Sequence, residues 1–314
     1  MTTLEAARVV LVGGHESGDG ADLVRFEPIV GRTTAIRRGR RLHDVLTSAL
    51  ADGGTVVVVP MTFGRDPAMV ADTARALRWL TTKHVGTLAL AAPFGVLGHL
   101  TARLRAVARE VRSNDREAAL VIVARASNPF DDAELYKIAH LVGVHGAGTE
   151  VMPAPVTEDD AVADVVGRLR RLGYPRTVVV PAGFARELAA DLDAPELAGT
   201  TFHGALIGDS AVARIITERA RAALHDLEHG RDGIDDGLAA DDGHGYAHDH
   251  TGHSHTGAGH DHTGPADDHQ TFAPAHQPPE INRQSTRDPW PTGSRTTSTA
   301  PTRSRSTPAG RPSP

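Results

Sequence analysis

The chain has 314 residues, 40% of them hydrophobic, a formal net charge of −6 and no cysteine. Without cysteine there are no disulfides, no thiolate metal sites and no cysteine nucleophile, and the negative charge gives no reason to expect a nucleic-acid partner. No apolar run approaches the roughly 18 residues of a membrane span, and residues 1–8 lack a basic-then-apolar signal pattern, so a soluble cytoplasmic protein with no membrane partner is expected.

The first predicted element is the run Val9-Val10-Leu11-Val12, which ends in Gly13-Gly14-His15-Glu16-Ser17. A β-branched apolar run of this kind reads as a parallel strand buried on both faces. Ligands of such sheets bind beyond the carboxyl ends of the strands, which is where His15 falls. A glycine-rich connection and the basic stretch Ile36-Arg37-Arg38-Gly39-Arg40-Arg41 follow. Leu42, Val45, Leu46 and Leu50 then recur at helical spacing. Residues 55–60 (TVVVVP) are a second strand, 67–82 a helix with proline in its first turn, and 85–91 a third strand. A long helix carries Leu97, Leu100, Leu104, Val107 and Val111.

The pattern then restarts. Residues 119–124 are a strand, 129–142 a helix opened by Ser127 and Asn128, and 149–152 a short strand. A helix over 157–172 has an acidic first turn and arginines in its last. Residues 177–181 are a strand, a helix is expected near 187–192, and 200–207 form the last strand. The closing helix runs from Asp209 or Ser210, both good N-caps, to about Leu227. Alternating strands and helices predict an α/β protein with mostly parallel sheets.

The halves read as copies. Val57-Val58-Val59-Pro60-Met61-Thr62-Phe63-Gly64-Arg65-Asp66 matches Val178-Val179-Val180-Pro181-Ala182-Gly183-Phe184-Ala185-Arg186-Glu187, and Gly14-His15-Glu16-Ser17 superposes on Ala124-Arg125-Ala126-Ser127. Two similar domains are expected, 1–115 and 116–228, with a ligand cleft between them.

From about His229 the periodicity stops, and residues 229–314 are expected to be a disordered tail. Nine of the 18 histidines lie between His244 and His276, and the segment beyond Gln277 is rich in Pro, Ser, Thr and Arg. His248-Asp249-His250, His253-Ser254-His255 and His260-Asp261-His262 are H-x-H units with acids interspersed. Such tracts bind Ni²⁺, Co²⁺, Zn²⁺ or Cu²⁺ at interchangeable sites. These six histidines are candidate metal ligands, in competition with a merely polar linker.

A strand ending in G-H-x-S, a later strand ending V-V-V-V-P with glycine and polar residues after it, and a two-copy α/β layout resemble the sirohydrochlorin chelatases. These are the CbiX-type cobaltochelatases and their ferrochelatase relatives. The resemblance spans residues 7–228. It implies that His15 binds metal and takes part in catalysis, with Glu16 beside it to take a proton or contact metal; a solvent-exposed acid is the plainer reading of Glu16. The family's second histidine, in a G-x-H pattern, is absent: the two halves read Gly64-Arg65-Asp66 and Ala185-Arg186-Glu187, and Arg125 replaces the first histidine in the second half. Asp66 can serve as an oxygen ligand beside His15, or as a helix N-cap before Pro67.

The implied substrate is a tetrapyrrole with many carboxylates, which calls for guanidinium groups. Arg65, Arg125 and Arg186 are placed with it, and Ser17 of the motif is counted as substrate-binding. Arg37, Arg38, Arg40 and Arg41 are further candidates or a solvated helix start. The implied reaction is insertion of a divalent metal, cobalt first and otherwise iron or nickel, into sirohydrochlorin or a related precursor of cobalamin or siroheme, with no organic cofactor. No nucleotide-binding G-x-x-x-x-G-K-[ST] is present. Two other classes compete: a non-catalytic metal-storage or metallochaperone protein working through the tail, and a tetrapyrrole-binding carrier.

Overall fold

The computed structural model describes residues 4–51, 53–84, 86–145, 148–157, 161–188 and 190–244. The six tail histidines proposed as ligands lie outside the described residues.

The valine-rich runs become the central strands of two sheets. β1 (Arg8–Gly13), β2 (Thr33–Arg37), β3 (Thr55–Met61) and β4 (Thr87–Leu90) form one sheet, and β5 (Ala118–Arg125), β6 (Val151–Val156), β7 (Arg176–Pro181) and β8 (Thr200–Phe202) the other. Their orders are β2-β1-β3-β4 and β6-β5-β7-β8, and all six strand pairings are parallel. The duplicated α/β architecture expected from the repeat is therefore present. In each sheet the chain reverses its winding between the first and third strands, so ligands are expected at the carboxyl ends of β1 and β3.

The period-2 alternation of strand side chains distributes the core. Val9 and Leu11 of β1, and Leu120, Ile122 and Ala124 of β5, face a core shared by both halves. Val10 and Val12 face a second core with α2 (Arg40–Ala51) and α3 (Pro67–Thr81). Ala119, Val121 and Val123 face a third with α6 (Ala161–Arg171). The shared core is filled from α4 (Leu97–Asn114), α5 (Pro129–His145) and α7 (Asp209–Glu228). At its centre Phe63 stacks on Phe184 at 4.9 Å between ring centroids, with Phe94 edge-on to both.

Several expectations are corrected. The glycine-rich connection after β1 contains a strand, β2; its Thr-Thr-Ala-Ile-Arg sequence is mostly half-buried at a sheet edge, so no apolar run marks it. Between β1 and β2 the chain forms short 3-10 turns and α1 (Glu27–Val30). No helix forms among the described residues of 187–192, where the Asp191 carboxylate accepts the Asp193 amide at 3.1 Å and closes a local turn instead. The strand expected over 200–207 pairs only through Phe202, and Gly208 rather than Asp209 or Ser210 is the N-cap of α7.

The expected tail also begins too early. Residues 229–244 are ordered: α8 (Ile234–Leu238) and a 3-10 turn (Ala239–His244) pack on α3, Ile234 is fully buried, and the Leu90 amide donates to the Asp232 carbonyl at 2.7 Å. Two large apolar side chains, Ile234 and Leu238, and two close-packed glycines carry this contact, too short a pattern for periodicity to register.

Candidate metal site at the carboxyl ends of β1 and β3

Three side chains from three elements converge at the switch point of the first sheet. His15 opens a single 3-10 turn after β1, Asp66 precedes α3, and Asp131 lies in the first turn of α5, contributed by the second half. His15 Nδ1 is 3.2 Å from Asp66 Oδ2 and 3.9 Å from Asp131 Oδ2. One ligand atom from each residue can be chosen so that all lie within 4.8 Å of one another. A nitrogen and two carboxylate oxygens at these spacings suit a divalent cation of intermediate softness. Both carboxylates are almost wholly buried, and the His15 side chain keeps 12% of its exposure, so the group opens to solvent through the imidazole.

Local sequence explains each position. Asp66 divides its two oxygens. Oδ1 accepts from the Met69 amide at 3.1 Å as the N-cap of α3, while Oδ2 accepts from the His15 amide at 3.1 Å and faces the imidazole. The capping role and the site-facing role therefore coexist in one side chain. Gly14 makes the approach possible, since a Cβ there would overlap the Asp66 carboxylate. Asn128 caps α5 by accepting from the Phe130 and Asp131 amides, and Asp131 Oδ2 in return accepts from Ser127 Oγ at 3.0 Å and Asn128 Nδ2 at 2.7 Å. Burial works to raise the Asp66 carboxyl, but the hydrogen bond and charge of His15, the Met69 amide and Arg38 outweigh it, and the group lies below its usual range. It therefore stays a carboxylate. His15 Nε2 is buried without a partner among the described residues.

Other predicted site residues have different places. Glu16 is 5% exposed, not a surface acid. Its carboxylate accepts from Thr62 Oγ1, from the Phe63 amide at 2.9 Å and from the Arg65 amide at 2.9 Å. Burial pushes this carboxyl above its usual range, and the Arg65 charge, the Thr62 and Phe63 hydrogen bonds and His15 offset only part of that. With both oxygens engaged by protein donors, Glu16 shapes the β3–α3 loop rather than meeting an ion. Ser17 is fully buried and donates to the Gly14 carbonyl at 3.2 Å, so it is a packing residue.

Arg65 is likewise fully buried and cannot meet a substrate carboxylate; its Nη2 reaches the Asp131 carbonyl at 3.4 Å and Asp132 Oδ1 at 4.0 Å, across the two halves. Arg186 is exposed and paired with Asp209 at 2.8 Å. Arg125 is exposed, with its guanidinium beside Gly18. The strand register also shifts the superposition of the halves by one residue. Val12 pairs with Pro60 and Val123 with Pro181, so Arg125 corresponds to Gly14 and Ala126 to His15. The arginine at the site is Arg38, half exposed, with Nη1 3.9 Å from Asp66 Oδ1.

Asp131 was not anticipated. Its only sequence signal is its place three residues after the helix cap Asn128, a pattern that ordinarily marks a capping acid.

No family model matches the sequence, and no curated protein matches it. Among solved structures, SirB from Bacillus subtilis with Fe³⁺ is similar at 13% identity and a TM-score of 0.50, over 72% of this chain and 98% of that one. CbiX, described as the terminal enzyme for biosynthesis of siroheme in denitrifying bacteria, matches at 16% identity and a TM-score of 0.39, over 69% and 98% of the two chains. DR2241 from Deinococcus radiodurans, a multi-domain protein with similarity to chelatases, matches at 17% identity and a TM-score of 0.41, over 69% of this chain and 55% of that one. The likeness to SirB is one of fold. No helix among the described residues is long and apolar enough to cross a membrane.

Proposed function

We propose, taking the chelatase fold as premise, that this protein inserts a divalent metal, cobalt in the first place and otherwise iron or nickel, into sirohydrochlorin or a closely related tetrapyrrole of cobalamin or siroheme biosynthesis. The observation that carries this reading is the convergence of His15, Asp66 and Asp131 at the switch point of the first sheet. The family's second histidine is missing, and Asp131, reaching in from the other half, makes up the ligand number.

Insertion replaces two pyrrole N–H protons by one M²⁺, so the site must present the ion and receive protons. Asp66, held as a carboxylate by the Met69 amide and His15, and Asp131, whose Oδ2 accepts from Ser127 Oγ and Asn128 Nδ2, would supply the oxygen ligands. The His15 imidazole is the least buried member of the group, at 12% side-chain exposure; it would hand the ion to the ring and accept one displaced pyrrole proton once its own nitrogen is free, the second proton passing to solvent. Arg38, 3.9 Å from Asp66 and 3.3 Å from Asp72, and the exposed Arg125 beside Gly18 are the guanidinium groups that would receive carboxylate arms. The rate gain is orientation of ring and ion, with a matched proton acceptor.

Purified protein with sirohydrochlorin and Co²⁺, Fe²⁺ or Ni²⁺ is expected to show the absorbance change of metallation. His15→Ala should lower the rate at least 100-fold (about 3 kcal/mol of transition-state stabilisation) with thermal unfolding unchanged. Tetrapyrrole binding without metallation by the native protein would favour the carrier reading; metal uptake with neither would favour storage.

A further inference from the structure

The outward face of α7 ends in two histidines one turn apart. His225 lies in the last turn of the helix and His229 is its C-cap, within His225-Asp226-Leu227-Glu228-His229. Ala223, Leu224 and Leu227 pack into the shared core. Both histidines are exposed, and their ring centroids stand 4.7 Å apart. Residues four apart on a helix are neighbours on one face, and this is the spacing at which two helical histidines grip a single zinc ion.

The backbone around the pair is already fixed. The His229 and Arg231 amides both donate to the Asp226 carbonyl at 3.0 Å, and Gly230 takes a φ of 77° that turns the chain out of the helix. Asp226 pairs with Arg231, so its carboxylate braces the turn instead of coordinating. Three residues after His229 the ordered strap 229–244 is fastened to β4, where the Leu90 amide donates to the Asp232 carbonyl at 2.7 Å. A cation bound here would gain from a preformed backbone and from the negative pole at the C-terminal end of a helix. The ring planes meet at 79°, and as exposed side chains they can each turn a nitrogen toward a common ion. Among the described residues the only group of three candidate ligands is His15, Asp66 and Asp131, so the α7 pair offers two nitrogens and leaves the other positions to water.

We propose that His225 and His229 chelate one divalent ion of the Zn²⁺, Ni²⁺ or Cu²⁺ class, a second metal site where α7 passes into the strap. Imidazole nitrogen suits these ions, whereas Mg²⁺ and Ca²⁺ prefer oxygen. Two nitrogens replace two waters of the hydrated ion, and nothing is oxidised or reduced. The site does not rest on the chelatase reading, since its ligands come from the closing helix alone. The alternative is two imidazoles that only pack edge to face and take metal one at a time; it predicts weak, independent contributions from each.

The test uses the full-length chain with the nine histidines between His244 and His276 changed to Ala, so that they do not compete. The same chain carries Asp66→Asn, which disables the His15 cluster and the Co²⁺ ligand-field band expected of it. Calorimetric titration with Zn²⁺ should show one ion per chain, held equally well in excess Mg²⁺. His225→Ala and His229→Ala should each weaken Zn²⁺ binding at least about tenfold, because losing even an outer partner of a metal ligand costs about 10–100-fold. The two together should be little worse than either alone, since chelation needs both. A second readout needs no substitution: saturating Zn²⁺ should protect both rings of the native chain from diethylpyrocarbonate, followed by mass spectrometry of the peptide that carries them. Rings that stay reactive in the native chain under Zn²⁺, binding that either single substitution leaves unchanged, or losses from the two substitutions that simply add would each overturn the proposal.

Discussion

Glu16→Gln probes how the candidate metal site is held in shape. The buried carboxylate accepts three hydrogen bonds, from Thr62 Oγ1 and the Arg65 amide on one oxygen and from the Phe63 amide on the other. Its own carbonyl accepts the Phe184 amide of the second half at 3.0 Å. Glutamine offers one acceptor oxygen, so its NH₂ must face either the Phe63 amide or the Thr62–Arg65 pair, leaving at least one buried donor without a partner. Such an orphan costs about 1–3 kcal/mol, and 1 kcal/mol moves Tm by about 2–4 °C in a body of this size. A fall in Tm of roughly 4–8 °C is therefore expected at about 2 kcal/mol. Because the same loop carries Asp66, cobalt affinity at the site should fall as well. Differential scanning calorimetry and cobalt titration check both effects. A variant that melts within about 1 °C of the native protein, below what even 1 kcal/mol would produce, would refute the view that this carboxylate braces the loop.

Asp66→Asn keeps a good N-cap for α3 and should change stability by under about 1 kcal/mol while abolishing the site's cobalt band. The Asp66 carboxyl lies below its usual range, so the stability it adds is complete above the ordinary carboxylate pKa and is lost as pH falls through the lowered one; acid titration of Tm should show that loss in the native protein and not in the Asn variant. Gly14→Ala, whose Cβ would overlap the Asp66 carboxylate at a backbone φ of −128°, should weaken cobalt binding without backbone strain, read by calorimetric titration. Phe184→Ala removes a ring stacked on Phe63 and edge-on to Phe94, and chemical denaturation should show a loss of about 3–5 kcal/mol.

What could be read along the chain and what could not divide on a physical line. Buried parallel strands declare themselves, because both faces need apolar side chains: β1, β3, β5 and β7 are visible as valine and alanine runs, and the repeat that relates them follows from the V-V-V-P anchors. His15 is legible for the same reason, since it ends the first such run. The edge strand β2 and the strap after His229 are not legible, because one or two apolar side chains among polar neighbours are too few to establish a period.

The sequence alone settled the architecture and one end of the site. Only tertiary structure brought Asp131 to His15, turned Glu16 and Arg65 from ligand-facing candidates into buried braces, and passed over Arg125 and Arg186 in favour of Arg38 as the arginine beside Asp66. Secondary structure is written in the local spacing of apolar residues. The partner of a carboxylate depends on which helix end a distant segment delivers, and no local pattern encodes that.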